Sequence, residues 1–333
     1  MILENSKVND NNELVKKIIK LKKEKNAVIL AHYYQTPEIQ DLADYIGDSF
    51  YLSQKAEEEN SDVIVFCGVK FMAEAAHILN PTKKVIIPDM NAGCSLEHSC
   101  PPNEFALFKQ QYPNHIVISY INCSAEIKAM SDIIVTSSNA EKVIKSIPQD
   151  KKIIFTPDKH LGRYIINKTG REMVLWNGSC IVHENFSEKD LMQKKAEYPY
   201  ALVIAHPECP ENLLNYSDYI GSTSKLLKFV ETNNDKDFII LTERGIIHQM
   251  KKISPKSKFI TINDIKNLND TEDNKNNSEI DYSCKHCSQC PFMKKNTLEK
   301  LYKALDTLKP IITVKQDIAI LARKSLNRML EYK

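Results

Sequence analysis

The chain writes one stretch three times. VILAHYYQTPEIQDLADYIGDS (28–49) returns as VISYINCSAEIKAMSDIIVTSS (117–138) and as VIAHPECPENLLNYSDYIGSTS (203–224). With His32, Tyr120 and His206 as anchors, the copies stand 88 and 86 residues apart. A second block repeats behind the first: VFCGVKFMAEAAHILNPTKKVIIPDMNAGC, then IFTPDKHLGRYIINKTGREMVLWNGSC, then ILTERGIIHQMKKISPKSKFITI. A fixed period of this kind dictates architecture before any single residue does. It implies three like domains, the first two ending in Cys94 and Cys180, the third running through a polar insertion to Cys284, Cys287 and Cys290.

Each repeat opens with an amphipathic helix and then shows four short β-branched runs. They are AVILA, DYIG, DVIVF and KVIIP in the first copy; HIVISY, DIIVT, KIIFT and MVLW in the second; ALVIA, DYIG, DFIIL and KFITI in the third. Continuous apolar runs mean strands buried on both faces, and helical connections mean parallel pairing. The expected fold class is therefore α/β: three similar three-layer αβα domains, each with a four-stranded parallel sheet, arranged about a pseudo-threefold axis. The boundaries read as 1–91, 92–177 and 178–290, the last with a polar insertion at 267–283, followed by a C-terminal helical segment at 291–333. The insertion is too poor in apolar residues to belong to a core.

Parallel sheets present functional residues at the carboxyl ends of their strands. Past the first strands lie His32-Tyr33-Tyr34, Tyr120-Ile121-Asn122 and His206-Pro207-Glu208; past the second lie Asp48-Ser49, Thr136-Ser137 and Ser222-Thr223. If the domains pack about one axis, these loops converge on one pocket. A Ser or Thr after a strand is also an ordinary helix N-cap, but capping and anion binding are compatible at the same helix end.

Composition excludes several classes. Lys plus Arg number 45 against 43 acids, which gives no electrostatic footprint for nucleic acid. The basic run KKIIKLKKEK (16–25) reads as the solvated face of a first helix. No apolar run reaches the ~18 residues of a membrane span, and the N-terminus lacks the order of a secretory signal. With nine cysteines and no such signal, the expectation is a cytoplasmic protein whose thiols bind metal or do chemistry. No GxGxxG follows any strand, and only eight glycines are present, which disfavours a nucleotide-binding dehydrogenase.

CKHCSQCP (284–291) is a local signal for metal or redox chemistry. The spacing is that of a ferredoxin ligand run without its fourth cysteine; a zinc ribbon lacks its second pair, and Cys284 with Cys287 has the spacing of a redox pair. The repeat supplies a further reading. Cys94 (in NAGC) and Cys180 (in NGSC) fall at equivalent points, and Cys290, adjoining Pro291, is the third-copy counterpart. Three thiolates on a cubane leave one iron open to act as a Lewis acid. Cys67, Cys100, Cys123 and Cys209 read as small buried hydrophobes.

Over nearly its whole length the sequence resembles quinolinate synthase, through AHYYQTPEIQDLADYIGDS, VFCGVKFMAE, PDMNAGCSL, YINCSAEIKAMSDIIVTSSNA, PDKHLG, WNGSC-IVHE, HPEC, IGSTS and CSQCPFMKKNTLEKL. The resemblance implies an enzyme joining iminoaspartate to dihydroxyacetone phosphate, giving quinolinate, phosphate and two waters on the route to NAD. It implies one 4Fe–4S cluster on Cys94, Cys180 and Cys290, and substrate contacts at His32, Tyr34, Ser49, Tyr120, Asn122, Ser137, His183, His206, Glu208 and Thr223. Tyr34, Glu208 and His206 are the expected catalytic groups, with Glu208 and Tyr34 moving protons; Tyr33 is given no role. A transient contact with the aspartate-oxidising enzyme that supplies the imine is a further expectation; nucleic acid and membrane are not expected partners. Two other classes compete: a sensor in which Cys284, Cys287 and Cys290 act alone, and an aconitase-like hydro-lyase on a different acid.

Overall fold

Among the described residues, twelve short strands make three separate sheets, one from each copy of the repeat. The computed structural model describes residues 2–262 and 288–332. The polar insertion and Cys284, His286 and Cys287 lie outside the described residues.

The first sheet contains β1 (Ala27–His32), β2 (Tyr45–Gly47), β3 (Val63–Cys67) and β4 (Lys84–Ile86). The second contains β5 (His115–Tyr120), β6 (Ile133–Val135), β7 (Lys152–Thr156) and β8 (Val174–Leu175). The third contains β9 (Leu202–Ala205), β10 (Tyr219–Ile220), β11 (Phe238–Leu241) and β12 (Phe259–Thr261). All three are parallel, and their orders, β2-β1-β3-β4, β6-β5-β7-β8 and β10-β9-β11-β12, are one order repeated. Register repeats as well: Leu30 pairs with Tyr45, Ile118 with Ile133, and Ile204 with Tyr219.

One polar device recurs in every copy. The residue that enters the second strand's run is aspartate, and its carboxylate accepts from a first-strand N–H: Asp44 from Ile29, Asp132 from Val117, Asp218 from Val203, each at 2.8 Å. The backbone N–H of the same aspartate donates back to that strand residue's carbonyl at 2.9, 2.9 and 2.8 Å. The short edge strand is thus pinned in register by a reciprocal pair of bonds, where a slip of one residue would turn its side chains over.

The central strands are buried on both faces. In the first sheet Ile29, Ala31, Val63 and Val65 pack with Ile18, Ile39, Leu301 and Leu305, while Leu30, Ile64, Phe66 and Val85 face Leu52, Ala56 and Phe71 on the other side. At about 1.5–3 kcal/mol for each fully buried aliphatic side chain, this two-sided burial dominates the domain's stability. Ile18 is fully buried while the lysines around it stay at the surface, as expected for a solvated helix face. The C-terminal segment divides its work. The helix Leu298–Thr307, capped by Thr297, packs on the N-terminal helix Ile2–Glu24. The helix Gln316–Leu330 lies on the helix Ala125–Met130 and on β6. Between them Ile311 bridges to Ile86, covering the open edge of β4.

Candidate active site

The strands' carboxyl ends in all three sheets face one cavity, whose wall includes His32, Tyr120 and His206 at equivalent positions. His32 and His206 are oriented alike. His32 Nδ1 accepts from the Tyr34 N–H at 3.1 Å, and His206 Nδ1 accepts from the Glu208 N–H at 3.4 Å. An acceptor at Nδ1 assigns the proton of the neutral ring to Nε2. Burial, reinforced by the neighbouring His206 and Lys294, holds His32 down to about 3. Burial and the adjacent His183 hold His206 down to about 4 against the pull of Glu208. Both rings are therefore neutral N–H donors, and His206 Nε2 stands 3.1 Å from Ser137 Oγ.

The second copy places a phenol at this point. Tyr120 donates to Glu208 Oε1 at 2.6 Å across two domains. His183 Nδ1 lies 2.8 Å from the other carboxylate oxygen, and its ring stacks on His206 with centroids 5.1 Å apart. Burial opposes ionisation of Glu208, but His206, His183 and the Tyr120 hydroxyl outweigh it and hold the carboxyl well below its ordinary range. Burial and the Glu208 charge push the Tyr120 phenol well up, so it stays protonated. A relay links Tyr34 toward the same carboxylate: Tyr34 Oη is 2.7 Å from Thr242 Oγ1, which is 3.0 Å from His183 Nε2.

The Tyr33–Tyr34 loop is fixed by its own domain, by the third domain and by the C-terminal segment. Gln40 Nε2 faces the carbonyls of Tyr33, Gln35 and Gly245 at 2.9, 2.9 and 3.0 Å, and Lys294 donates to the Tyr34 carbonyl at 2.5 Å. Gly245 has to be glycine there, because a Cβ would come within 2.9 Å of the Tyr34 backbone. Lys294 also pairs with the fully buried Glu243 at 3.1 Å.

Loops after the second strands form a hydroxyl-bearing wall. Asp48 caps the helix Ser49–Glu58 and Ser222 caps Thr223–Thr232, so Ser49 and Thr223 begin their helices. The second copy differs, because its helix begins only at Ala140 and leaves Ser137 in the preceding turn. Ser49, Ser137 and Thr223 all line the cavity. Asn122 lines it too, and its buried Oδ1 has no hydrogen-bond partner, leaving an acceptor free for a ligand.

Loops after the last strands bring in Cys94, Cys180 and Cys290, which line the same cavity. Cys94 and Cys180 occupy the N-cap positions of the short helices Ser95–His98 and Ile181–Glu184. Each sulfur accepts backbone N–H groups two or three residues ahead: Leu96 and Glu97 for Cys94, His183 for Cys180, Phe292 and Met293 for Cys290. Burial, above all, pushes the Cys94 and Cys180 thiols well up and Cys290 up to about 11. Three partly buried thiols with N–H groups aimed at sulfur, Lys294 being the one cation that acts on any of them (Cys290), fit a thiolate-bound metal group, which would supply the further positive charge. Cys180, His183 and Glu208 also bring ligand atoms within 4.8 Å of one another, a group able to hold a metal ion. Cys67, Cys100, Cys123 and Cys209 are fully buried elsewhere.

Sequence reasoning did not single out Thr242, Glu243 or Asp158 as site residues. All three follow third strands, at carboxyl ends that were not mapped although the same rule covers them. Asp158 is fully buried with Oδ2 unpartnered, and burial, with the Glu208 charge next, pushes its carboxyl well up.

Three like α/β units closing on one cavity of thiols, hydroxyls, neutral histidines and a buried carboxylate define an enzyme acting on small polar substrates. The family model described as NadA, quinolinate synthetase A protein, matches residues 16–331. Similar proteins named quinolinate synthase include that of Trichormus variabilis, 55% identical over 96% of this chain and 93% of the relative. That of Synechocystis sp. is 56% identical over 96% and 95%, and that of Trichodesmium erythraeum 53% identical over 99% of each. The chain belongs to the quinolinate synthase family, enzymes of NAD biosynthesis. Among the described residues no helix is long and apolar enough to cross a membrane.

Proposed function

We propose that the chain condenses iminoaspartate with dihydroxyacetone phosphate in this cavity, in the cytoplasm, with a 4Fe–4S cluster held by Cys94, Cys180 and Cys290. The observation that carries the reading is the meeting of three N–H-supported thiols with neutral donors and one anionic base in a single cavity. When bound, a cluster with three protein ligands supplies Lewis acidity at its open iron, which suits loss of a hydroxyl as water.

The protein's own groups account for the remaining work. Iminoaspartate and the triose phosphate bring carboxylates and a phosphate, yet no Lys or Arg lines the cavity among the described residues. Their negative charge is met by neutral donors: the Nε2–H groups of His32 and His206, the hydroxyls of Ser49, Ser137 and Thr223, and the starts of the helices Ser49–Glu58 and Thr223–Thr232. Glu208, ionised and buried, takes the proton whose loss converts imine to enamine or ketone to enol. Tyr120 and Tyr34, both pushed well up by burial, then by the Glu208 charge, remain protonated and supply protons to departing oxygen. The relay through Thr242 and His183 connects Tyr34 to the same carboxylate, so acid and base are returned to their starting states between steps.

The test is anaerobic purification of wild type and of Cys94→Ala, Cys180→Ala and Cys290→Ala, with iron and sulfide counted and quinolinate assayed. Wild type should hold about four irons and four sulfides and form quinolinate, and each variant should lose both. A full cluster retained without Cys94 or Cys180 would instead favour a sensor built on the C-terminal cysteines alone.

A further inference from the structure

The second-strand loops of all three domains meet in one hydrogen-bonded hub within the hydroxyl wall, and its Asp48 also lines the cavity. Its centre is Asp48, only 7% exposed. Asp48 Oδ1 accepts from the Tyr51 N–H at 2.9 Å, which is its capping bond. Its Oδ2 accepts from Ser138 at 2.8 Å and from Ser224 at 2.7 Å, residues of the second and third domains. Ser138 Oγ lies 2.8 Å from Ser222 Oγ, and the Tyr33 hydroxyl bonds to Ser224.

Both bonds to Asp48 Oδ2 come from serine hydroxyls, which are the donors. Ser224 accepts from Tyr33, and the Ser138 hydroxyl is also the donor toward Ser222 Oγ at 2.8 Å, so it bridges Asp48 and Ser222 in a three-centred bond. One arm runs inward, Tyr33 to Ser224 to Asp48, and the other centres on Ser138, which faces both Asp48 and Ser222. Linked bonds of this kind polarise one another and hold a narrower geometry than isolated pairs.

Each hub residue adjoins a cavity hydroxyl in sequence. Asp48 precedes Ser49, Ser138 follows Ser137, and Ser222 and Ser224 flank Thr223. A shift of the hub is therefore transmitted to all three cavity hydroxyls at once. We infer that Asp48 is a positioning residue, an acceptor shared between domains that sets the spacing of Ser49, Ser137 and Thr223 against the carboxylate and phosphate groups of the substrates. Tyr33, on the same loop as Tyr34, is the outer end of this device.

The inference deepens the proposed reaction and rests on it for the identity of the ligand. Its discriminating feature is the sign of one effect. A carboxylate beside a pocket for anions opposes their binding, so if Asp48 acted only through its charge, the neutral Asp48→Asn would bind substrate more tightly. If Asp48 acts as the common acceptor, the amide nitrogen cannot accept, one arm of the hub is released, and binding weakens.

The experiment uses the anaerobically purified holoenzyme and the variants Asp48→Asn, Asp48→Ala, Ser138→Ala and Ser224→Ala. KM for each substrate, kcat, iron content and the affinity for quinolinate itself are measured. Asp48→Asn should raise KM and weaken quinolinate binding about ten-fold, with kcat within about three-fold and iron unchanged, and Asp48→Ala should be worse. Ser138→Ala and Ser224→Ala should each weaken binding about three-fold, which keeps the idea testable should the Asp48 variants misfold. A KM for Asp48→Asn at or below wild type would overturn the inference, as would unchanged binding in both serine variants. A stability cycle between Asp48→Ala and Ser138→Ala reads the interdomain coupling without the reaction: non-additivity supports the hub, and strict additivity overturns it. Failure of wild type to form or bind quinolinate would strike the proposed reaction, while that cycle would still report on the hub.

Discussion

The cavity has two walls built on opposite plans. In the hydroxyl wall, Asp48, Thr136 and Ser222 stand 88 and 86 residues apart, and its members bond to one another across domains. In the thiol wall, Cys94, Cys180 and Cys290 stand 86 and 110 apart, and each sulfur is held by N–H groups of its own segment. The hydroxyl wall is collective, so an insertion in any one of its loops would displace the others. In the thiol wall each sulfur is served by its own turn, and few bonds tie the turns to other elements: Ile181 N–H to Ser95 Oγ at 3.0 Å and Cys290 N–H to Glu243 at 3.2 Å. Lengthening a connection costs only about 0.6 kcal/mol per doubling of loop length, which is why the third copy tolerates its polar insertion just ahead of the cysteine run.

Glu208 offers the sharpest way to break this comparison, because it reaches the collective side through His206 and Tyr120 and comes close to Cys180. Glu208→Gln should lower kcat about 10²- to 10⁴-fold, as expected for loss of a general base, and leave the iron content at the wild-type value. Iron analysis alongside steady-state kinetics checks both halves. A kcat within a few-fold of wild type would remove Glu208 from proton transfer. Loss of iron would show that the thiol wall depends on the collective side.

These two plans also explain how much the sequence revealed. The strands, their order within each copy and the convergence of first- and second-strand loops were legible because a threefold pattern of apolar runs followed by polar residues leaves few alternatives. Cys94 and Cys180 were legible for the same reason. The relay through Thr242 was not, since a single threonine after an apolar run carries no spacing signal and matters only through contacts 208 and 59 residues away. The partner of Glu208 was equally hidden. Tyr34 and Tyr120 both follow first strands, and only packing of the domains decides that Tyr120 reaches the carboxylate.

The histidines make the collective wall sensitive to acid. His32 and His206 titrate near 6.5 in the unfolded chain and are held to about 3 and about 4 in the fold. As pH falls below about 6.5 the unfolded chain takes up protons that the native rings refuse, so stability falls by up to roughly 1.4 kcal/mol per pH unit per histidine. Glu208 has the opposite chemistry but the same sign: its depressed carboxyl favours the fold above the ordinary carboxylate range and loses that contribution below it. Urea midpoints between pH 7 and 4.5 should fall with decreasing pH, and His206→Asn should flatten the slope by about one proton. An unchanged slope in that variant would mean that His206 is charged in the native state.

The smallest expected effect tests the repeat itself. Asp44, Asp132 and Asp218 make one bond in three copies, so removing them one at a time asks whether the domains are equivalent in energy as well as in topology. Each alanine variant leaves a first-strand N–H without its carboxylate and should cost about 1 kcal/mol, or about 1–2 °C in melting temperature for a chain of this size. Asp44 alone of the three also pairs with a lysine, Lys22 at 2.6 Å, and that partly exposed contact adds at most a few tenths of a kcal/mol. Asp132→Ala and Asp218→Ala should therefore agree closely, with Asp44→Ala marginally worse. A two-fold or larger gap between Asp132→Ala and Asp218→Ala would mean that identical local geometry sits in domains of unequal cooperativity. The origin of such a gap is already visible in the packing: the helix Gln316–Leu330 lies directly on β6 and braces the second sheet's edge, so water would reach the freed N–H less readily there than beside β10.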